Sequence, residues 1–459
     1  MPNFQHRASA LLNFCNILNI TLQKPRCYTL ALLLFAGVLL PHDAVAQDIH
    51  WTRTLNPLTE AIAFNPLSHG LVIYAAAKDS EGIYKSYDGG YHWHHLYGGA
   101  NPLEAGSSAN IGQIFVLPSD TSVLLVASTN VRTGLYRSTD GGYNWKQTLP
   151  NVSSDGQTIY SFLDKLNQGH DTIYFGESAT GHIWRSLDKG VTWDSLPSAI
   201  NQPGLCTLVA DPVAHTVLLA GSAGGVITRS TDGGSSWDTT HFSEPTGLAD
   251  VPRLVFDPKN HLRAWATVYY YPNEWLLRSD DGGKTWQKRP SPPNEWAFDI
   301  DPANPKRMWM GRFSGLDSLF GGTDTLRDHF DQSTDGGETW TKAGLDTVVD
   351  IWVIKYDSSS GRLAVASGSG VYIAEVGTRS VARGVPVTQG IYPNPANSSI
   401  KVKSTAKELE IIDLLGRTMW RSSAREPSAI SVAGWPNGMY SLVERDRNML
   451  RTSRFVVSH

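Results

Sequence analysis

The sequence repeats one eight-residue pattern, Ser-x-Asp-x-Gly-x-x-Trp, six times, and this repetition limits the possible folds more than any other feature. The aspartates follow one another at intervals of 44 to 54 residues, which is typical of proteins built from repeated supersecondary units. They are Asp88, Asp140, Asp188, Asp232, Asp281 and Asp335. The third copy has Lys189 where the others have a first Gly, so only the second Gly occurs in all six.

Each position of the pattern has a role that its chemistry predicts. The Asp can accept hydrogen bonds from the backbone of its own turn, and the Gly can adopt a left-handed conformation. The Ser can add a local hydrogen bond, and the Trp can bury its ring under the turn. The pattern resembles the Asp box of bacterial-neuraminidase-type repeats, which occur in sialidases, sortilin-like receptors, some xyloglucan hydrolases and photosystem assembly factors. In those families the box is structural, so the resemblance implies a fold and not an activity.

The residues between the boxes predict how the units are built. Short apolar strands bounded by turn residues occur four to a unit, as in the blades of a β-propeller. Residues 349–376 repeat the first three strands without a box, and residues 49–55 resemble an isolated fourth strand. The sequence therefore predicts an all-β fold in which residues 47–376 form a seven-bladed propeller. We expect the N-terminal strand to complete the last blade, which closes the ring.

Residues 1–46 read as a signal peptide, with Lys24 and Arg26 before an apolar run and Ala44-Val45-Ala46 at the expected cleavage site. The apolar run is too short for a comfortable membrane span, so we expect no transmembrane segment in the mature chain.

Only Cys206 remains after the signal, which excludes an internal disulfide. The net charge of -4 gives no indication of a nucleic-acid partner. The His and Cys spacings match no metal motif, and no cofactor is predicted.

The C-terminal part has a separate pattern. Polar residues 377–390 are a predicted linker, and residues 391–459 contain short strands with Gly turns, which predicts a small immunoglobulin-like β-sandwich. The Tyr-Pro-Asn-Pro opening at Tyr392, the strand end Asp413-Leu414-Leu415-Gly416-Arg417 and the segment from Trp435 to Tyr440 resemble the type A sorting domain of type IX secretion substrates. The resemblance implies that the secretion machinery recognises residues 391–459. It implies a protein that is secreted or held on the outer cell surface.

Strand direction predicts which loops carry function. In an antiparallel four-stranded blade, the boxes share one face with the turns between first and second strands, and the variable loops occupy the other face. The loops of blades five and six carry aromatic and charged residues suited to glycan or protein binding. The candidates are Tyr269, Tyr270, Tyr271, Trp275, Trp296, Arg312 and Arg327. The alternative is that the aromatic residues only fill the interfaces between blades.

The functional prediction is an exported, non-catalytic recognition or scaffold module with a glycan or protein ligand. The alternative is a glycoside hydrolase of the sialidase or xyloglucanase kind, which needs carboxylates in defined positions. Asp299 and Glu274 are the only weak catalytic candidates, and nothing in the sequence pairs them. Residues 47–85 lack the Arg-Ile-Pro type of segment that sialidases usually carry, and the xyloglucanase type uses a cleft between two propellers. Both observations favour binding over catalysis.

Overall fold

The structure is a computed structural model. All secondary-structure elements in its described residues are β-strands. The described residues are 49–78, 82–96, 109–130, 133–150, 163–165, 172–178, 180–198, 204–240, 249–269, 275–292, 295–313, 330–345, 350–376, 391–392, 396–402, 408–413, 418–422, 429–446 and 449–457. The predicted signal peptide (1–46) and linker (377–390) lie outside these ranges, so both stay predictions.

Seven four-stranded antiparallel sheets form the blades of a propeller, which confirms the predicted fold. The first strand of the chain is β1 (Thr52–Leu55). Blades one to three consist of β2 (Thr59–Phe64), β3 (Ile73–Ala77), β4 (Gly82–Ser86) and β5 (His94–His95); β6 (Ala109–Val116), β7 (Leu124–Asn130), β8 (Gly134–Ser138) and β9 (Lys146–Pro150); and β10 (Leu163–Lys165), β11 (Thr172–Gly176), β12 (Ile183–Ser186) and β13 (Asp194–Leu196).

Blades four to six follow the same order along the chain. They consist of β14 (Leu205–Ala210), β15 (Leu218–Ser222), β16 (Ile227–Ser230) and β17 (Asp238–Thr240); β18 (Asp250–Asp257), β19 (Asn260–Tyr269), β20 (Trp275–Ser279) and β21 (Gln287–Arg289); and β22 (Glu295–Ile300), β23 (Met308–Arg312), β24 (Phe330–Ser333) and β25 (Thr341–Lys342). The seventh blade differs, because its three C-terminal strands need a partner from the other end of the propeller.

That partner is β1, as the sequence predicted. The seventh blade contains β26 (Ile351–Asp357), β27 (Arg362–Ser367) and β28 (Gly370–Glu375), and β1 pairs antiparallel with β28. The side chain of Arg362 then joins this blade to the first one, since its Nη1 donates a hydrogen bond of 2.7 Å to the main-chain oxygen of Gly70. The ring is therefore closed by both backbone pairing and a side chain.

The six boxes are built alike, and their hydrogen bonds explain the repeated residues. In every copy the Ser hydroxyl donates to Asp Oδ1 at 2.7–2.9 Å and accepts from the N–H of the second Gly at 2.8–2.9 Å. The Asp Oδ2 contacts a polar side-chain atom of the residue just before the Trp at 2.5–2.6 Å. These residues are His92, Asn144, Thr192, Ser236, Thr285 and Thr339. Each box Asp therefore hydrogen-bonds within its own turn.

The second box Gly occurs in every copy because it lies against the preceding blade. All six have φ between 79° and 99°, a conformation that disfavours a side chain. A Cβ on Gly142 would also lie 2.8 Å from Leu96, and one on Gly190 would lie 2.8 Å from Leu125. The first position has more space except in the first box, where the Arg362 guanidinium lies against Gly89. In the third box Lys189 occupies this position with φ of 61°. Contact between blades thus selects the second Gly.

The C-terminal residues form two antiparallel sheets around one core. Their strands are β29 (Ile391–Tyr392), β30 (Ser399–Val402), β31 (Glu408–Asp413), β32 (Thr418–Ser422), β33 (Ile430–Ser431), β34 (Gly438–Asp446) and β35 (Met449–Val457). Ile400 of the first sheet and Leu409 and Phe455 of the second share a cluster of buried residues. This is the two-layer arrangement of a small sandwich; the immunoglobulin-like form of the sandwich stays a prediction.

Within the described ranges, we find no helix long and apolar enough to span a lipid bilayer.

Candidate functional site

The boxes and the turns between first and second strands lie on one face of the ring, which we call the box face. Direct hydrogen bonds show this, because the first Gly of the box donates its N–H to a residue of that turn in five blades at 2.7–2.9 Å. The turn residues Asp211, Asp257 and Asp301 accept backbone N–H groups of their own turns, so they stabilise these turns. We call the opposite face, where second strands end and first strands begin, the loop face.

A β-bulge shapes the loop-face end of the innermost strand in blades one, two and four to seven. The extra residue of a bulge loses its regular pairing and is aimed away from the sheet. In blade six this residue is Trp296, between Glu295 and Ala297, and in blade seven it is Trp352. The same local distortion therefore presents an indole ring from two neighbouring blades.

These two rings belong to a four-residue aromatic cluster, formed by Tyr269, Trp296, Phe313 and Trp352. The ring centroid of Phe313 lies 4.9 Å from that of Trp296 and 4.7 Å from that of Trp352. The centroids of the two indoles are 6.5 Å apart. Tyr269 is only 1% exposed and supports the cluster, with its ring 5.8 Å from Trp296. The other three are partly exposed, so they offer a continuous apolar surface.

The remaining candidates from the sequence have other surroundings. Trp275 is at the start of β20, where the Lys288 ammonium lies 3.8 Å from its ring centre. Arg312 is buried at the end of β23 and forms an ion pair of 3.0 Å with Asp331, which makes it a structural neighbour of the cluster. The other candidates lie outside the described residues, namely Tyr270, Tyr271, Glu274 and Arg327.

Three charged side chains lie next to the ring axis, and we call them the axial charged group: Arg253, Asp299 and Lys355. They lie on the innermost strands of blades five, six and seven. Nη2 of Arg253 donates a hydrogen bond of 2.8 Å to the main-chain oxygen of Trp352, so this side chain reaches across blade six. One carboxylate oxygen of Asp299 accepts the N–H of Tyr356 at 2.8 Å. The axial charged group thus adjoins the aromatic cluster through Trp352.

Burial shifts the pKa of each residue in the axial charged group in the direction that favours its neutral form. Burial raises the pKa of Asp299, while Lys355 and the N–H groups of Tyr356 and Ile300 oppose this shift. Burial lowers the pKa of Lys355, with Asp299 opposing the shift and Arg253 adding to it. The Lys355 side chain is accessible to solvent although the blades surround it. A side chain that lines the central channel of a propeller has this environment.

Metal binding has no support from the described part of the chain. There, no three His, Cys, Asp or Glu side chains are grouped so that they could hold an ion. The remaining cysteine, Cys206, is buried on β14, and burial raises the pKa of its thiol to about 12. The thiol is therefore an inert part of the core.

Sequence reasoning missed Phe313, Trp352, Arg253 and Lys355. A signal existed for Trp352, since it precedes the turn residue Asp357 by the same five positions that separate Trp296 from Asp301. Arg253 and Lys355 gave no such signal, because they approach each other only through the arrangement of separate blades.

Two family profiles match the chain. The BNR/Asp-box repeat matches residues 277–288, which include the fifth box, and the secretion system C-terminal sorting domain matches residues 390–458. Together with the six boxes and the seven blades, these matches define the class. The chain is an Asp-box β-propeller protein that carries a C-terminal sorting domain of type IX secretion. The sorting domain indicates export to the cell surface or the extracellular space.

Known proteins resemble parts of this chain. Two sequences of Xyloglucanase Xgh74A from Acetivibrio thermocellus are 27% and 32% identical over 168 residues, which make up 35% of this chain and only 16% of the enzyme. The GH74 enzyme of Niastella koreensis superposes with a TM-score of 0.56 at 17% identity, covering 89% of this chain and 66% of that one. The structure of YCF48 bound to D1 peptide gives 0.51 at 16% identity, covering 72% and 97%. The two structural similarities show a shared fold alone.

Proposed function

We propose that this exported propeller is a non-catalytic binding module that holds a glycan on its loop face. The aromatic cluster is the observation that carries the proposal. Trp296, Phe313 and Trp352 pack against one another at inclined angles and remain partly exposed, so they offer apolar ring faces on which a sugar ring can stack. Polar groups beside an apolar surface fix the orientation of a ligand, and the axial charged group supplies them.

The comparisons favour a glycan over a protein ligand. The xyloglucanase similarity extends over 168 residues, and its name refers to a polysaccharide substrate. The superposition with a GH74 enzyme extends over most of this chain. A shared fold alone does not define an activity. A polysaccharide of the cell exterior also agrees with export by the sorting domain.

Glycoside hydrolysis is the second candidate, and Asp299 is the residue that favours it. A general acid needs a carboxyl group with a raised pKa, which burial gives to Asp299. Hydrolysis also needs a second carboxylate at a defined distance. The charged side chains that influence Asp299 are cations, Lys355 and Arg253, and no described carboxylate is among them. This environment suits binding better than acid catalysis.

Binding can be tested with the purified mature protein and a panel of plant and bacterial polysaccharides, by affinity electrophoresis and calorimetry. We expect Trp296→Ala and Trp352→Ala each to weaken binding about tenfold, since each removes one face of the stacking surface. Tyr91→Ala is the matched control, because Tyr91 is an exposed aromatic residue of the first box on the other face. Equal affinity in all three variants would contradict the proposal.

Catalysis can be tested on the same polysaccharides by release of reducing ends. We expect no turnover above that of a heat-treated sample. Turnover that Asp299→Asn abolishes would establish the hydrolase instead. Asp250, at the start of β18, is the acid to substitute next, since burial raises its pKa as well.

A further inference from the structure

The axial charged group contains two cations, Arg253 and Lys355, and one anion, Asp299. Neither cation forms a close ion pair with a described residue. No ion pair within 4.0 Å joins Arg253 or Lys355 to a carboxylate anywhere in the described residues. Arg253 instead donates to the neutral carbonyl of Trp352. Asp299 instead accepts the N–H of Tyr356. The group therefore presents a net positive charge beside the ring axis.

The excess positive charge has a cost that an anion would relieve. Lys355 is exposed to the channel, and no hydrogen bond or ion pair joins its ammonium group to another described residue. Arg253 and Lys355 repel each other at this site. Charges that are partly removed from water and left without a counter-charge are unfavourable, and a bound carboxylate would supply one.

The position of the excess charge connects it to the proposed ligand surface. Arg253 is hydrogen-bonded to the main chain of Trp352, whose ring contacts Phe313 at 4.7 Å. Asp299 and Lys355 occupy equivalent places in blades six and seven, each two residues before the Asp of the turn. Lys355 lies three residues after Trp352 on β26, about 10 Å along the strand toward the box face, so a ligand that stacks on the aromatic cluster has Arg253 beside it and Lys355 deeper along the axis.

We propose that the glycan carries a carboxylate, as a uronic acid does, and that this carboxylate binds between Arg253 and Lys355. The inference rests on the proposed glycan-binding function, because the aromatic cluster must hold the sugar ring next to the axis. A carboxylate accepts charge-assisted hydrogen bonds from both a guanidinium and an ammonium group, and each such bond is stronger than a neutral one. The site therefore distinguishes acidic from neutral sugars of the same size.

The experiment compares two matched probes on the full mature chain by calorimetry. One probe is a xylo-oligosaccharide that carries one glucuronate, and the other is the same oligosaccharide without it. We expect the acidic probe to bind about tenfold more tightly in dilute buffer, with the difference shrinking in about 0.5 M NaCl because salt screens the charges. An acidic peptide of similar length is the third probe, and we expect it to bind more weakly than the acidic sugar.

Variants locate the effect. Lys355→Met should remove most of the preference for the acidic probe, because it should weaken binding of the acidic probe about tenfold and binding of the neutral probe much less. Asp299→Asn should strengthen binding of the acidic probe several-fold, because it removes the negative charge that competes with the ligand. Lys288→Met is the control, since it removes a lysine that lies over Trp275 and not at the axis. Arg253→Gln gives a second measurement, with circular dichroism to verify folding.

The possible failures separate the two proposals. If both sugars bind equally, or if Lys355→Met weakens both alike, the carboxylate site is wrong and glycan binding still holds. If neither sugar nor any polysaccharide binds, the proposed function is wrong as well. If the acidic peptide binds most tightly, the ligand is a protein segment and the glycan assignment is overturned.

Discussion

The indole nitrogen of Trp51 donates a hydrogen bond of 2.9 Å to the main-chain oxygen of Ala343, which lies 292 residues later in the chain. Trp51 precedes β1, and Ala343 follows the last strand of blade six. Four box tryptophans bond in the same manner to the outer strand of the preceding blade or the residue after it: Trp93, Trp193, Trp286 and Trp340. The seventh blade has no box, and Trp51 supplies the missing indole from the other end of the propeller.

Removing this indole should open the ring. We expect Trp51→Ala to lower the free energy of unfolding by about 3 kcal/mol, because it removes a large ring that packs edge-on against Phe330 at 4.9 Å. Urea denaturation followed by tryptophan fluorescence measures the change. Arg53→Ala is the control on the same strand, since the Arg53 side chain is exposed and bonds only locally to Asn56. Equal stability of the two variants would show that β1 contributes little to closure.

The two Gly positions of one box should respond differently to the same substitution. Gly282 and Gly283 have φ of 73° and 85°, so Ala at either position should cost about 1 kcal/mol from backbone strain alone. A methyl group on Gly283 would also overlap Leu219 of the preceding blade, whereas on Gly282 the nearest atom is 3.9 Å away. We expect Gly283→Ala to cost about 2 kcal/mol more than Gly282→Ala in chemical unfolding. A smaller loss for Gly283→Ala would contradict the role of blade contact.

The boxes should make the propeller sensitive to acid. Hydrogen bonds from the Ser236 hydroxyl and N–H and from Ser230 lower the pKa of Asp232 from 3.8 to about 2. Because the folded pKa is the lower one, this stabilisation is complete above about pH 4 and is lost as the pH falls toward 2. Asp232→Asn should therefore flatten the loss of stability between pH 4 and 2. Asp238→Asn, which removes a charge from β17, is the control, and identical pH profiles for all three proteins would refute the prediction.

The sorting domain predicts the fate of a truncated chain. Deleting residues 391–459 removes the segment that matches the sorting profile and leaves all seven blades complete. We expect the truncated protein to accumulate in the periplasm of a host that has type IX secretion, while the full chain reaches the medium or the cell surface. Immunoblots of separated cell fractions measure this, and normal export of the truncated chain would disprove the assignment.

Local regularity determined what the sequence could predict. The box fixes the period of the repeat and counts six units. The seventh blade and its closure by the N-terminal strand were predicted from the strand patterns of residues 349–376 and 49–55. The residue before each box Trp also repeats as a polar side chain, from His92 to Thr339, although its contact with the Asp became visible only in the structure. The axial charged group has no local pattern, since Arg253 and Trp352 are 99 residues apart and meet only after the ring has closed.

Lys85 should give the propeller a second pH dependence, at alkaline pH. Burial lowers the pKa of Lys85 from 10.5 to about 8, with Asp140 opposing the shift. The ammonium group lies about equally far from three tyrosine rings and donates to the main-chain oxygen of Gly141 at 3.3 Å. Since the folded state binds this proton more weakly than the unfolded state, stability should rise as the pH increases from 8 to 10.5. The gain has an upper limit of about 3 kcal/mol.

A methionine substitution separates this titration from those of other groups. Lys85→Met retains the length of the side chain and removes its proton equilibrium, so the wild type should gain stability relative to this variant between pH 8 and 10.5. Lys288→Met loses a lysine that lies over a single indole, and it controls for the general effect of removing one positive charge. Urea unfolding of the three proteins at a series of pH values measures the differences. A constant difference between wild type and Lys85→Met across this range would show that Lys85 remains charged between the first two blades.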